Sequence, residues 1–113
     1  MKENKILYVA ELTKEMKEEF EKSYRKNYGL STKKELIFLF STLAKDLGKD
    51  YLNTVDQSIF RNRGTQRFQV RYEGFEAEYM EEVKKELGIR RNSDFLKYLV
   101  YLVINHEKIK NVF

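Results

Sequence analysis

The 113-residue sequence predicts a mainly α-helical α+β fold, in which two tandem strand-helix-helix units share a short β-ribbon and close on each other as a pseudo-dimer within one chain. Three observations predict it. The segment 16–43 recurs as 75–102 at an offset of about 59 positions, placing Met16 on Phe75, Phe20 on Tyr79, Tyr24 on Val83, Gly29 on Gly88, Leu36 on Phe95, Leu39 on Tyr98 and Leu43 on Leu102. Each copy is preceded by a strand-like run. A unit of this size is too small to bury its own apolar faces, so two copies in a chain of this length point to one shared core. The expected organisation is a single domain over 1–113: a first unit at 5–47, a connector and basic arm at 48–66, a second unit at 67–106 and a tail at 107–113.

The first element is the β-former-rich run 5–12, KILYVAEL, which ends at Thr13, a candidate helix N-cap with Glu15 in the following turn. Two registers are open for it: Ile6, Tyr8, Ala10 and Leu12 inward with Lys5, Leu7, Val9 and Glu11 outward, or the reverse. The helix 14–28 follows, with Met16, Phe20, Tyr24 and Tyr28 four apart in one apolar stripe, and Gly29 is expected to stop it in the left-handed conformation. Ser31 or Thr32 caps the next helix, 33–47, with Lys34 or Glu35 in its first turn. Its consecutive Leu36, Ile37, Phe38, Leu39 and Phe40 require cover on more than one face and suggest a central helix. In the connector, Asn53 or Thr54 can cap a helical turn through Phe60, while Arg61-Asn62-Arg63 and Gly64 read as loop or arm. The second unit opens with the strand 67–72, whose strict alternation places Phe68, Val70 and Tyr72 on one face and Arg67, Gln69 and Arg71 on the other. A helix at 75–87, a turn at Gly88 and a helix at 92–106 complete it. The run 98–104 has strand-like composition, but its repeat partner contains Leu43-Ala44-Lys45 and favours helix.

The net charge of +4 is mild, and its distribution is more informative than its size. Lysines are spread among glutamates, as on solvated helix faces. All arginines but Arg25 fall in two places: Arg61, Arg63, Arg67 and Arg71 in a stretch without acids, and Arg90-Arg91 after Gly88. Arginine's planar fork suits phosphate oxygens and guanine edges, so the clustering points toward nucleic acid. The chain has no cysteine, which excludes disulfides, thiolate metal clusters and a thiol nucleophile and fits a reducing compartment. Its apolar runs are far shorter than a membrane span, and no signal-peptide core follows the first residues. A soluble, cytoplasmic protein is expected.

A strand with alternating polar residues, then helix, glycine turn and helix, resembles the ribbon-helix-helix transcription regulators, the class that includes the Arc and MetJ repressors. The second unit carries the likeness, with its strand FQVRY. The family normally pairs strands from two chains into an antiparallel ribbon that lies in the DNA major groove. With both halves in one polypeptide, this chain resembles the tandem versions found among archaeal-virus regulators. The resemblance implies base reading by Arg67, Gln69 and Arg71, and the chemistry agrees, since arginine pairs with guanine O6 and N7 and glutamine with adenine N6 and N7. It also implies phosphate binding at the start of each second helix, by Ser31, Thr32 and Lys33 with help from Lys34, and by Arg90, Arg91 and Asn92. Ser31 and Asn92 are equally readable as plain caps. Lys5 and the arm residues Arg61 and Arg63 are further candidate phosphate contacts. The first strand departs from the family pattern, because neither register gives it a polar reading face; contact with thymine methyls is its expected contribution.

The partner expected from these residues is operator or promoter DNA, with association of copies on DNA and no membrane. An antitoxin-like module that binds a protein partner through its helices or tail is the alternative. His106 lacks an acid-base or metal partner of recognisable spacing and reads as a helix-end residue. Tyr24, Tyr28, Tyr79, Tyr98 and Tyr101 stand at helical spacing and read as core. No nucleophile elbow or phosphate-binding glycine loop is present. No enzyme activity, cofactor or metal is expected.

Overall fold

The two strand-like runs satisfy their alternation by pairing with each other. In the computed structural model, which describes residues 5–29 and 31–106, β1 (Lys5–Leu12) and β2 (Gln66–Glu73) form one antiparallel two-stranded sheet. Ile6 stands opposite Tyr72, Tyr8 opposite Val70 and Ala10 opposite Phe68. The first of the two registers of β1 is therefore the observed one. Tyr8, Ala10 and Leu12 are buried with Phe68, Val70 and Tyr72, and the other face of the ribbon carries no covering element among the described residues.

The ribbon's inner face is sealed by helices. In α1 (Lys14–Tyr28), Thr13 is the N-cap and its hydroxyl accepts from the Met16 amide at 3.1 Å. Phe20 is buried and meets Phe68 edge to face, with centroids 5.0 Å apart. Gly29 ends the helix in the right-handed conformation, φ −58°, not the left-handed one expected. The second helix, α2 (Lys33–Thr54), is kinked at Gly48, where φ of 72° requires a residue without a Cβ penalty. Leu36, Ile37 and Phe40 are buried, but Leu39 is 55% exposed, so α2 is not the fully enclosed helix its apolar run suggests. Four residues form α3 (Ser58–Arg61), followed after β2 by α4 (Gly74–Glu86) and α5 (Asn92–Ile104). The central helix is α5, with seven residues buried, from Phe95 to Val103. It packs on β1, α1, α2 and α3.

The expected closure of two equivalent ribbon-helix-helix units into a pseudo-dimer over four helices is corrected by this architecture. The described residues are α+β, with one two-stranded antiparallel sheet and five helices, and repeat-related positions do not share an environment. Met16 packs against the core while Phe75 is 89% exposed, and Leu39 is exposed where Tyr98 is fully buried. The physical reason lies in residues 48–66. Leu52 and Val55 are buried and Ile59 and Phe60 pack on the core, so this stretch covers α5 and gives it surroundings unlike those of α2. The tail expected at 107–113 lies outside the described residues.

Candidate nucleic-acid interface

Because side chains alternate along a strand, sealing Phe68, Val70 and Tyr72 inside forces Arg67, Gln69 and Arg71 outward, and all three are exposed on the ribbon's outer face. The Arg67 Nε donates to Gln69 Oε1 at 3.1 Å, which orders the two side chains relative to each other. The facing row from β1 is Lys5, Leu7, Val9 and Glu11. Register places Lys5 opposite Glu73, Leu7 opposite Arg71, Val9 opposite Gln69 and Glu11 opposite Arg67. This face thus combines three cations, two carboxylates, one amide and two aliphatic side chains. Leu7 is 39% exposed, an apolar surface held toward solvent.

Two buried tyrosines tie the ribbon to the helices beneath it. The Tyr72 hydroxyl donates to the Lys34 carbonyl oxygen at 2.6 Å, anchoring the start of α2 to β2, and the Lys34 ammonium lies 5.5 Å from the Tyr72 ring centroid. The Tyr8 hydroxyl donates to Glu81 Oε2 at 2.8 Å. Glu81 also accepts from Lys84 Nζ at 3.3 Å, and Lys84 donates onward to Asn92 Oδ1 at 2.6 Å. A continuous polar path therefore runs from β1 through α4 to the first residue of α5. Burial pushes both phenols well above their ordinary range, helped at Tyr8 by the hydrogen bond and negative charge of Glu81 and at Tyr72 by the charge of Glu76. The sequence pattern placed Tyr72 in the core; the partners of both hydroxyls, and the roles of Glu81 and Lys84, depend on contacts remote in sequence.

The two proposed phosphate-binding helix starts differ. At α2 the N-cap is Thr32: its hydroxyl accepts from the Glu35 amide at 3.1 Å and donates to the Glu35 carboxylate at 3.0 Å. Ser31 is not the cap; its carbonyl accepts from the Tyr24 hydroxyl. Lys33 is ion-paired with Glu21, while Lys34 is exposed. At α5 the N-cap is Arg91, whose side chain does not cap the helix, and both Arg90 and Arg91 are exposed. Asn92 is the first residue of the helix and is engaged by Lys84. Arg90 and Arg91 border a shallow hollow of about 390 Å³, whose other wall is formed by Asn53, Gln57 and Phe60.

The arm is pinned. Lys97 Nζ donates to the Phe60 carbonyl at 3.5 Å and the Asn62 carbonyl at 3.3 Å, and Gly64 packs against the backbone of Glu11 and Leu12. Arg61 and Arg63 are exposed on this segment as it enters β2. His106 lies at the other side of the core, where its Nδ1 is 2.7 Å from the Tyr28 hydroxyl and its ring meets Phe40 edge to face.

Known protein families, curated proteins and solved structures gave no match to this chain. No described helix is long and apolar enough to cross a membrane. Among the described residues, no group of three His, Asp or Glu side chains is placed to hold a metal ion.

Proposed function

We propose that the protein is a sequence-specific double-stranded DNA-binding transcription regulator that works inside the cell and reads the major groove with the outer face of its ribbon. The observation that carries this reading is the exposure of Arg67, Gln69 and Arg71 together on one face of an uncovered two-stranded ribbon, whose opposite face is sealed into the core. A two-stranded ribbon fits the width of the B-DNA major groove, and these side chains can make bidentate pairs with purines. The likeness to ribbon-helix-helix regulators supports the reading at the level of this strand. Exposed Arg61, Arg63, Arg90 and Arg91 supply backbone anchors, and the Arg91-Asn92 start of α5 offers amides without a side-chain cap. Lys5, Ser31, Thr32, Lys33 and Lys34 are the secondary anchors, with Lys33 needing to exchange Glu21 for phosphate. The role is binding, without a chemical step or cofactor.

A second reading is a module that binds a protein partner. Phe75, almost fully exposed at the start of α4, favours it. A gel-shift with the DNA upstream of the protein's own gene, against nonspecific competitor, separates the two. A retarded band that survives competitor is expected for the regulator; its loss at low competitor favours the partner-binding module.

A further inference from the structure

The outward cross-strand pairs of the ribbon are chemically unlike, and their register shows how. Val9 faces Gln69, Glu11 faces Arg67 on one side of that pair, and Leu7 faces Arg71 on the other. Cross-strand neighbours in an antiparallel pair stand about 5 Å apart, close enough to address one base pair together. An A·T pair offers the major groove adenine N6 and N7 on one base and a methyl group on the other, which matches an amide beside an aliphatic side chain. A G·C pair offers two acceptors on guanine and an amino donor on cytosine, which matches a guanidinium beside a carboxylate. Val9 placed against cytosine would bury the N4 amino group without an acceptor, and Glu11 placed against thymine would set its charge against a methyl group and a carbonyl.

Resting on the DNA-binding reading above, we propose that the ribbon is a directional reader, in which Gln69 with Val9 selects an A·T pair and Arg67 with Glu11 selects a neighbouring G·C pair. The two-fold rotation that exchanges the strands about the Val9–Gln69 pair carries Leu7 onto Arg67 and Glu11 onto Arg71. None of these pairs is alike, so one copy of the chain reads a site without a palindrome. Val9 and Glu11 become specificity-determining residues on the strand that lacks a polar row. One of the two carboxylates on this face gains a role as well: Glu11 accepts from cytosine instead of repelling phosphate.

The test is selection of binding duplexes from a random pool with the full chain, followed by replacement of individual thymines with uracil, which removes only the methyl group. A non-palindromic consensus is expected, with one A·T position where uracil lowers affinity about fourfold. Val9→Ala should bind the thymine and uracil duplexes equally. Glu11→Gln should relax preference at the adjacent G·C position alone. A palindromic consensus, or uracil tolerated at every position by the unaltered protein, overturns the directional reader while leaving DNA binding intact. A pool that shows no enrichment overturns the DNA-binding reading itself.

Discussion

Two neighbours on β2 carry opposite expectations. Phe68 is buried against Phe20, so Phe68→Ala should remove about 3–5 kcal/mol of stability through lost burial and the cavity left behind. Arg71 points outward, and Arg71→Ala should leave the denaturation midpoint nearly unchanged while weakening specific DNA binding. Chemical denaturation and gel-shift titration of both variants check the pair, and a similar loss of stability in both would contradict the register. Gly64 sets a different constraint. A Cβ there would overlap the Leu12 carbonyl and come within 2.5 Å of the Glu11 carbonyl oxygen, both backbone atoms that cannot swing aside. Gly64→Ala should therefore lift the arm from the ribbon end and cost about 1–3 kcal/mol, read as a lower midpoint. The polar face of β2 was legible in the sequence because alternation is a local pattern. The demand on Gly64 was not, because its neighbours are Glu11 and Leu12, half the chain away.

The elements beneath the ribbon were legible where their signals were local and illegible where packing decided. Thr13, Thr32 and the positive-φ Gly88 mark helix boundaries close to where composition placed them, whereas Gly48, where the second helix was expected to have ended, only kinks α2, which runs on to Thr54. The exposure of Leu39 and Phe75, and the packing of α3 on α5, are set by tertiary arrangement and leave no periodic trace. This inequality extends to the two helix starts and can be measured. At α5, Arg90 and Arg91 are exposed beside an end without a side-chain cap; at α2, the Thr32 hydroxyl caps the helix and Glu21 holds Lys33. Arg90→Ala and Arg91→Ala should each reduce the slope of log affinity against log salt by roughly 0.9, for specific and nonspecific DNA alike. Lys33→Ala should change it less, because the lysine's charge is already partly neutralised by Glu21. Arg67, Gln69 and Arg71 variants should alter base preference more than salt slope. Affinity measured over a salt series on two unrelated duplexes distinguishes these classes, and equal slopes for the Arg90 and Lys33 variants would remove the proposed difference between the helix starts.

Across the whole molecule, three buried tyrosines, two of which join the sheet to the helices, make stability depend on alkaline pH. Tyr8 and Tyr72 lie on the inner face of the ribbon with ring centroids 6.1 Å apart, and Tyr98 lies in α5. Burial raises all three phenols above their ordinary value of 10.0, with Glu81 adding to the effect at Tyr8, Glu76 at Tyr72 and the neighbouring Tyr51 at Tyr98. Above pH 10.0 the unfolded chain releases these protons while the folded chain keeps them. The unfolded state then binds fewer protons, so the contribution is complete below pH 10.0 and stability falls as pH rises beyond it. Each tyrosine should contribute about 1.4 kcal/mol per pH unit to that slope, and the three together about 4. Tyr98 separates this titration from hydrogen bonding, because its hydroxyl is buried without a hydrogen-bond partner among the described residues. Tyr98→Phe removes an unsatisfied polar group, and should leave neutral-pH stability unchanged or raise it by about 1 kcal/mol. Tyr8→Phe deletes the bond to Glu81 and should lower it by a similar amount. Both variants should flatten the alkaline slope by one proton. Urea unfolding at a series of pH values from neutral to above 10.0 measures both quantities, and an unchanged alkaline slope in Tyr98→Phe would show that this phenol titrates alike in the folded and unfolded chains.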